Sequence, residues 1–495
     1  MKQSERGRKG RVSRWMPALG LALALGIGRL AEGAPPAEAD QAAALRPFES
    51  GDVVCFVGDS ITQGRKWHRY IYDFYVTRFP DRRLLFVNAG ISGDSATGAV
   101  LRLDRDILVH RPTAAAIMLG MNDVRREHYQ AGLEHDAAAL AARKQALGIF
   151  RDEMIKLSTG LRKHGVRRLI YVTPSPYDQT AVLKAPILFG VNDALGRCGE
   201  IDRELARQFG GGWVDFNGPM TALNRLEQQT NATYSLIGFD RVHPGPEGQL
   251  VMAYLFLKAQ QAPGLVSRVA VDAGRKAVRE SLNARVTDLV FDGDALAFTL
   301  LEGALPWPIE REARQALSRV PLEQDLNREE LEVDGLPAGS YALSIDGTSV
   351  TNFTAEALGR GINLALRAET PQFRQAQEVL ALMEQRRTLE TKLRSLAEVE
   401  HWELRDSGVD CNDLAAVKAH LDGHLATMTN DSANAKSARI YRYEPYLKTK
   451  PLAAQIRVEM GQRLEQVYEL NRPRPHRYTL SRAPAATGEE RAPKP

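Results

Sequence analysis

Four short stretches of this chain carry side chains able to act together on an acyl carbon. Gly58-Asp59-Ser60 directly follows an apolar run, Val53–Val57. A serine at the turn from a strand into a helix presents its hydroxyl beside a helix N-terminus, but it needs a base to take its proton before it can attack. Asp240-Arg241-Val242-His243 offers one. An Asp three residues before a His can hydrogen-bond one ring nitrogen, fix the tautomer and leave the other nitrogen for the serine. The tetrahedral oxyanion then requires donors. Asn88–Gly93 offers the backbone N–H of Gly93, and Gly120-Met121-Asn122 offers the Asn122 carboxamide. Taken singly, each residue has a plainer role: Ser60 or Asn122 as a helix N-cap, Gly93 as a turn glycine, Asp240 as the cap of its own turn. Asp59 and Asp123 are read as structural.

The elements around these stretches say where they must lie. Continuous apolar runs at 53–57, 84–87, 114–119 and 169–172, with a weaker one at 212–216, read as strands buried on both faces. Helical patterns fill the intervals at 67–78, 97–109, 138–164 and 192–209. Strand alternating with helix implies an α/β fold with a parallel, doubly wound sheet, whose sites lie at the carboxyl ends of the strands. The serine, glycine and asparagine stretches each follow a predicted strand.

Together the blocks resemble the SGNH hydrolase superfamily, also called the GDSL esterases. The resemblance rests on Ser60 in GDSIT, Gly93 in NAGISGDS, Asn122 in GMND, and Asp240 with His243 in DRVH; Ile61 stands where the family name has Leu. It spans about residues 50–260 and implies a flavodoxin-like sheet flanked by helices. It also implies Ser60 as nucleophile, His243 as base and Asp240 as its orienter. The oxyanion hole would be the N–H groups of Ser60 and Gly93 with the Asn122 side chain. No cofactor or metal is expected.

Composition sets the wider frame. Among 495 residues there are 65 Lys plus Arg and 61 Asp plus Glu, and removing the seven basic and three acidic side chains of residues 1–39 leaves 58 of each. A neutral body argues against a nucleic-acid partner. Six basic residues before Met16, an apolar run from Met16 to Gly28 and Ala37-Glu38-Ala39 read as a signal peptide over 1–39, so the folded part is expected to be periplasmic or extracellular with no membrane span after cleavage. The hydrolase domain is expected over 40–265. Turn signals at Asp292-Gly293, Asp334-Gly335 and Asp346-Gly347 predict a β-rich, sandwich-like domain over 266–370, with a long connection beginning at Leu305. A helical region follows over 371–471, then a disordered tail over 472–495. This arrangement also resembles large secreted GDSL proteins of environmental bacteria.

Other groupings are weighed and set aside. His420 and His424 are four apart, but no third ligand is evident, so a solvated helix face is preferred to a metal site. Trp67 and His68 are read as packing residues rather than a pocket floor, and Tyr441, Tyr443 and Tyr446 as residues that dock on the main domain rather than stack on a sugar. Cys198 and Cys411 are left open as a possible pair. The expected activity is a serine ester hydrolase acting through an acyl-enzyme on short-chain esters, above all O-acetyl groups of a carbohydrate. A lipid or lysophospholipid esterase is the runner-up, for which Ala181–Phe189 would supply the apolar surface. An O-acyltransferase, or a glycan-binding protein on a hydrolase scaffold, stays open.

Overall fold

The computed structural model describes residues 45–483 except 65, 294 and 429–431, so the predicted signal peptide lies outside the described residues. Five strands form one parallel sheet: β1 (Val53–Gly58), β2 (Leu85–Gly90), β3 (Ala114–Met118), β4 (Arg168–Val172) and β5 (Gly212–Val214), in the order β2-β1-β3-β4-β5. Register sets the ends level: Gly58 pairs with Gly90 on one side and Met118 on the other. Among the described residues, the helices between and just after its strands are α1 (Ser60–Gln63), α2 (Trp67–Arg78), α3 (Ala96–Leu101), α4 (Ala137–Lys163), α5 (Val191–Gln208), α6 (Asn217–Gln228) and α7 (Pro246–Ala259). This is the expected flavodoxin-like order. β1 and β3 are buried on both faces, as their unbroken apolar runs require.

Two helices escape the sequence pattern. α7 reads Leu-Val-Met-Ala-Tyr-Leu-Phe-Leu and is buried almost all round, so it shows no amphipathic period. α6 begins at Asn217, directly after the last predicted strand, where Pro219 obscures its start. The predicted helix over 97–109 holds only as α3; a wide turn at Leu103–Ile107 and a tight one at Leu108–His110 complete it.

Beyond α7 come β6 (Leu265–Asp272), β7 (Ala277–Leu282), β8 (Ala284–Asp292), β9 (Ala295–Glu302), β10 (Arg328–Asp334), β11 (Ser340–Ile345), β12 (Thr348–Thr354), β13 (Ile362–Asn363) and β14 (His476–Arg482). They make two sheets, β13-β10-β6-β7 and β12-β11-β14-β9-β8, which enclose one apolar core. The sandwich is as expected, except that β6 and β10 pair in parallel. The two-residue turn between β11 and β12 has φ of 49° at Asp346 and 75° at Gly347, the positive values that a tight hairpin demands. The expectation of a disordered tail over 472–495 fails at its start: β14 is an inner strand between β11 and β9, and Tyr478 stacks on Phe298 at 5.2 Å. The connection after Leu305 packs on the α/β core. Trp307 lies 5.6 Å from the Phe74 ring, and Asn327 holds both the N–H and the C=O of Trp307.

The helical region leads with α8 (Pro371–Val399), which covers the open edge of β2. Three of its side chains, each four residues from the next, meet that edge strand: Arg386 donates to Phe86 O, Glu390 accepts from Asn88 N, and Arg394 donates to Asn88 O. One helix face thus satisfies the backbone groups an edge strand leaves unpaired. The three tyrosines do not dock on the main domain as expected: Tyr443 and Tyr446 are buried in this region's own small core, because its helices supply the apolar partners, and Tyr441 is exposed. Cys55, Cys198 and Cys411 are unpaired, which closes the Cys198–Cys411 question left by the sequence. No described helix is long and apolar enough to cross a membrane.

Where β9, β10 and α8 meet, two carboxyls are buried. Glu302 accepts from Ser267 Oγ at 2.6 Å, and Glu329 accepts from Gln372. Burial pushes Glu302 up to about 7. Below its ordinary value near 4.5 both the folded and unfolded chains keep this proton. Between there and about 7 only the folded chain keeps it, so stability falls as pH rises across that window. Glu302→Gln is therefore expected to raise the free energy of unfolding, read from the denaturant midpoint, by on the order of 2 kcal/mol at about pH 8, and to change it little at about pH 4.5.

Candidate active site

Asp59 caps α1, its Oδ1 accepting from Ile61 N at 2.9 Å, and so places Ser60 as the first residue of that helix. Glycine is required just before it: a Cβ on Gly58 would sit 2.3 Å from Thr62 Oγ1 and 2.9 Å from Met118 O. Ser60 Oγ lies 2.8 Å from His243 Nε2. His243 Nδ1 lies 2.6 Å from Asp240 Oδ2. The other Asp240 oxygen accepts from Val242 N and His243 N at 3.0 and 2.9 Å. Asp240 therefore caps its turn and holds the imidazole at once. Burial pushes its carboxyl up, but the hydrogen bonds from His243 and Val242 outweigh this and hold it below the usual carboxylate range. A carboxylate accepting at Nδ1 places the ring proton there, which leaves Nε2 as acceptor for the serine hydroxyl.

Between Asp240 and His243, Arg241 adopts φ 64° and is almost wholly buried. Its guanidinium donates to the carbonyls of Asp178, Ala181, Leu183 and Ala185, and its own carbonyl accepts from Asp178 N. The catalytic turn is thereby tied to the loop after β4. Sequence reasoning passed over Arg241, because a buried arginine between two site residues has no local signature.

The other predicted residues gather at neighbouring strand ends. Beyond β2, Ile91 N donates to Gly58 O, and Gly93 has φ 79°, a conformation that favours glycine. Beyond β3, Asn122 Nδ2 donates to Asp94 O at 2.8 Å, which joins the asparagine to the Gly93 loop. The structure thus links Ser60, His243 and Asp240 by hydrogen bonds and binds Asn122 to the residue after Gly93. Asp123 is structural as read, accepting from Ala96 N; burial pushes both it and Asp59 up to about 7. Trp67 and His68 are buried packing residues: Trp67 meets Phe56 edge-on at 5.1 Å, and His68 stacks on Phe56 at 5.3 Å.

Several residues on this loop's far side were not foreseen. Asp94 is buried against Arg102, 2.7 Å away. Ser92 N donates to Gln63 Oε1, and Gln63 Nε2 donates to Glu398 on α8 at 2.6 Å. Where α8 ends, a wide helical turn at Glu400–Leu404 brings His401 Nε2 to 3.5 Å from Asp94 and lets Trp402 Nε1 donate to Ser92 O at 3.1 Å. Glu398, His401 and Trp402 stand some 300 residues from the loop, beyond the reach of any local pattern. His420 Nε2 meets the Glu403 carbonyl and His424 lies 3.5 Å from the Glu403 carboxylate; among the described residues no three His, Cys, Asp or Glu side chains gather as metal ligands do.

The GDSL-like Lipase/Acylhydrolase family matches residues 56–251, which contain Ser60, Gly93, Asn122, Asp240 and His243. The acetylxylan esterase of Geobacillus stearothermophilus is 22% identical over 230 residues, covering 42% of this chain and 94% of that protein. A solved structure of a gut microbial diltiazem-metabolizing enzyme is 30% identical, with a TM-score of 0.82 and coverage of 90% of this chain and 100% of that one. A structure of the Geobacillus esterase is 22% identical over 43% of this chain and 95% of its own, with a TM-score of 0.35.

Proposed function

Since the chain belongs to the GDSL-like lipase/acylhydrolase family of the SGNH hydrolases and is an ester-bond hydrolase, we propose that Ser60 is its nucleophile and that its substrates are short-chain esters, above all O-acetyl groups on a carbohydrate. The observation that carries this reading is the hydrogen-bonded chain from Ser60 Oγ through His243 to Asp240. Ser60 Oγ attacks the ester carbonyl carbon while His243 Nε2 takes its proton. Asp240 stabilises the imidazolium. The oxyanion lies toward the N–H groups of Ser60 and Gly93 and the second Asn122 amide hydrogen, the first being held by Asp94 O. As the tetrahedral intermediate collapses, the C–O bond to the alcohol breaks and His243 returns its proton to the leaving oxygen. Water then adds to the acyl-enzyme with His243 as base again, releasing the acid and free Ser60.

The acetylxylan esterase among its relatives supports an acetylated carbohydrate. The basic and apolar pattern of residues 2–28 supports export. One feature favours a lipid ester instead: Val182, Phe189 and Phe239 are exposed, Phe239 to 85%, and Phe239 directly precedes Asp240. A series of p-nitrophenyl acetate, butyrate and decanoate separates the two. kcat/KM is expected to fall steadily with acyl length, with acetate released from acetylated xylan. A preference for decanoate would move the assignment to lipids.

A further inference from the structure

Trp402 stands outside the family-matched segment, yet it touches the loop assigned to the oxyanion hole. Its benzo edge lies 3.7 Å from where a Cβ on Gly93 would be. The indole N–H is spent on Ser92 O, and the buried His401 ring meets the indole at 4.5 Å and 67°. An indole anchored at two points would be buried if it served packing alone. This one is 43% exposed. The wide helical turn carrying it is a departure from regular helix that commonly marks functional positions.

We infer that Trp402, supplied by the C-terminal helical region, forms an aromatic wall of the substrate site beside Gly93 and stacks on ring-bearing alcohol groups of the ester. This rests on the assignment of Gly93 to the oxyanion hole. An ester bound there has its carbonyl oxygen at Gly93, so one of its two substituents must run past the indole. An open wall suits the larger substituent, and in an acetyl ester that is the alcohol. The electron-rich face of an indole accepts the C–H groups of a sugar ring or the face of an aromatic one. Trp402 is thus a specificity-determining residue supplied to the hydrolase domain by a distant part of the chain.

The test compares kcat/KM on a ring ester, p-nitrophenyl acetate or an O-acetylated xylo-oligosaccharide, with kcat/KM on ethyl acetate. In Trp402→Ala the ratio of ring ester to ethyl acetate is expected to fall about fivefold to tenfold, through KM. Trp402→Phe keeps a ring but loses the bond to Ser92 O, and its ratio is expected to stay within about twofold of wild type. If Trp402→Ala does not fold, Trp402→Leu replaces it with the same expected fall. An unchanged ratio overturns the wall. So does a loss of kcat shared equally by both substrates, which would mean that the indole only clamps the loop. A second readout does not depend on turnover: Ser60→Ala is titrated with the acetylated oligosaccharide, alone and combined with Trp402→Ala. Binding weakened about fivefold to tenfold by the second change supports the wall even if wild type proves to use another nucleophile. Equal binding, or none by either protein, overturns it. Hydrolysis retained by Ser60→Ala would instead count against the nucleophile assignment.

Discussion

Ser60→Ala is expected to lower kcat on p-nitrophenyl acetate by about 10⁵- to 10⁶-fold, and His243→Ala by a similar factor. The double variant should be no slower than either single one. Each group is useless without the other: the hydroxyl cannot attack while it keeps its proton, and the imidazole has no proton to take without the hydroxyl. Residual turnover over water then reflects binding and the oxyanion donors alone. Asp240→Asn tests the third member. It keeps the shape but can present an amide N–H to Nδ1, which favours the tautomer with the proton on Nε2, and should cost about 10⁴-fold. The thermal midpoint of Ser60→Ala should stay close to wild type, because only the hydroxyl's bond to His243 is lost and Asp240 still holds that ring. Steady-state kinetics beside a thermal melt checks all three. Activity surviving in Ser60→Ala would remove the nucleophile from the scheme.

Why this much of the site could be read in advance follows from where information sits along the chain. β1 and β3 are buried on both faces, so their apolar runs are unbroken, and the polar residues after them stand out as strand ends. Asp240 and His243 are three residues apart, and the hydrogen bonds that orient them lie within that turn. Local contacts leave local signatures. The Gly93 loop is held differently. Arg102 is eight residues from Asp94 and Gln63 about thirty from Ser92, but His401 and Trp402 come from some 300 residues away, and none of the four repeats a period or motif. β14 is an intermediate case. Tyr478 and Leu480 are buried at a strand's two-residue spacing, but the Arg- and Pro-rich residues 472–475 before them masked so short a pattern. Its partners lie more than a hundred residues upstream. α7 fails for the opposite reason, since burial on every side erases the very period by which a helix is recognised.

Arg102→Met should be the most destabilising single change near the site, at about 3–5 kcal/mol. The guanidinium is buried and reaches three groups: Asp94 Oδ2 at 2.7 Å, Asp106 Oδ2 at 2.6 Å and Gly58 O at 3.3 Å. Burial pushes both carboxyls up, but the arginine charges outweigh it and hold each below the usual carboxylate range: Arg102 and then His401 at Asp94, Arg394 and then Arg102 at Asp106. A carboxyl depressed in the folded state adds stability above its unfolded value near 3.9, and that stability is lost as pH falls through the folded value. Without Arg102 the two carboxylates fare unequally. Asp106 keeps Arg394. Asp94 keeps only His401, 3.5 Å away, and must either stay charged in an apolar site or take up a proton. The deficit should therefore be largest at about pH 7 and shrink toward about pH 4, where protonation relieves Asp94. Arg102→Met combined with Asp94→Asn should recover much of the lost midpoint in urea at neutral pH, because the unpaired charge, not the missing arginine, is the costly element. Catalysis is drawn in as well. The Asp94 carbonyl holds Asn122, and Gly58 lies two residues before Ser60, so loosening Arg102 loosens both the oxyanion donor and the nucleophile turn. A fall in kcat of about tenfold should accompany the lost stability, since a misplacement of even an ångström at the reacting atoms is costly. If the single variant were as stable as wild type at neutral pH, Asp94 would have to be neutral in the native protein, and the ion pair would not be what holds the loop in place.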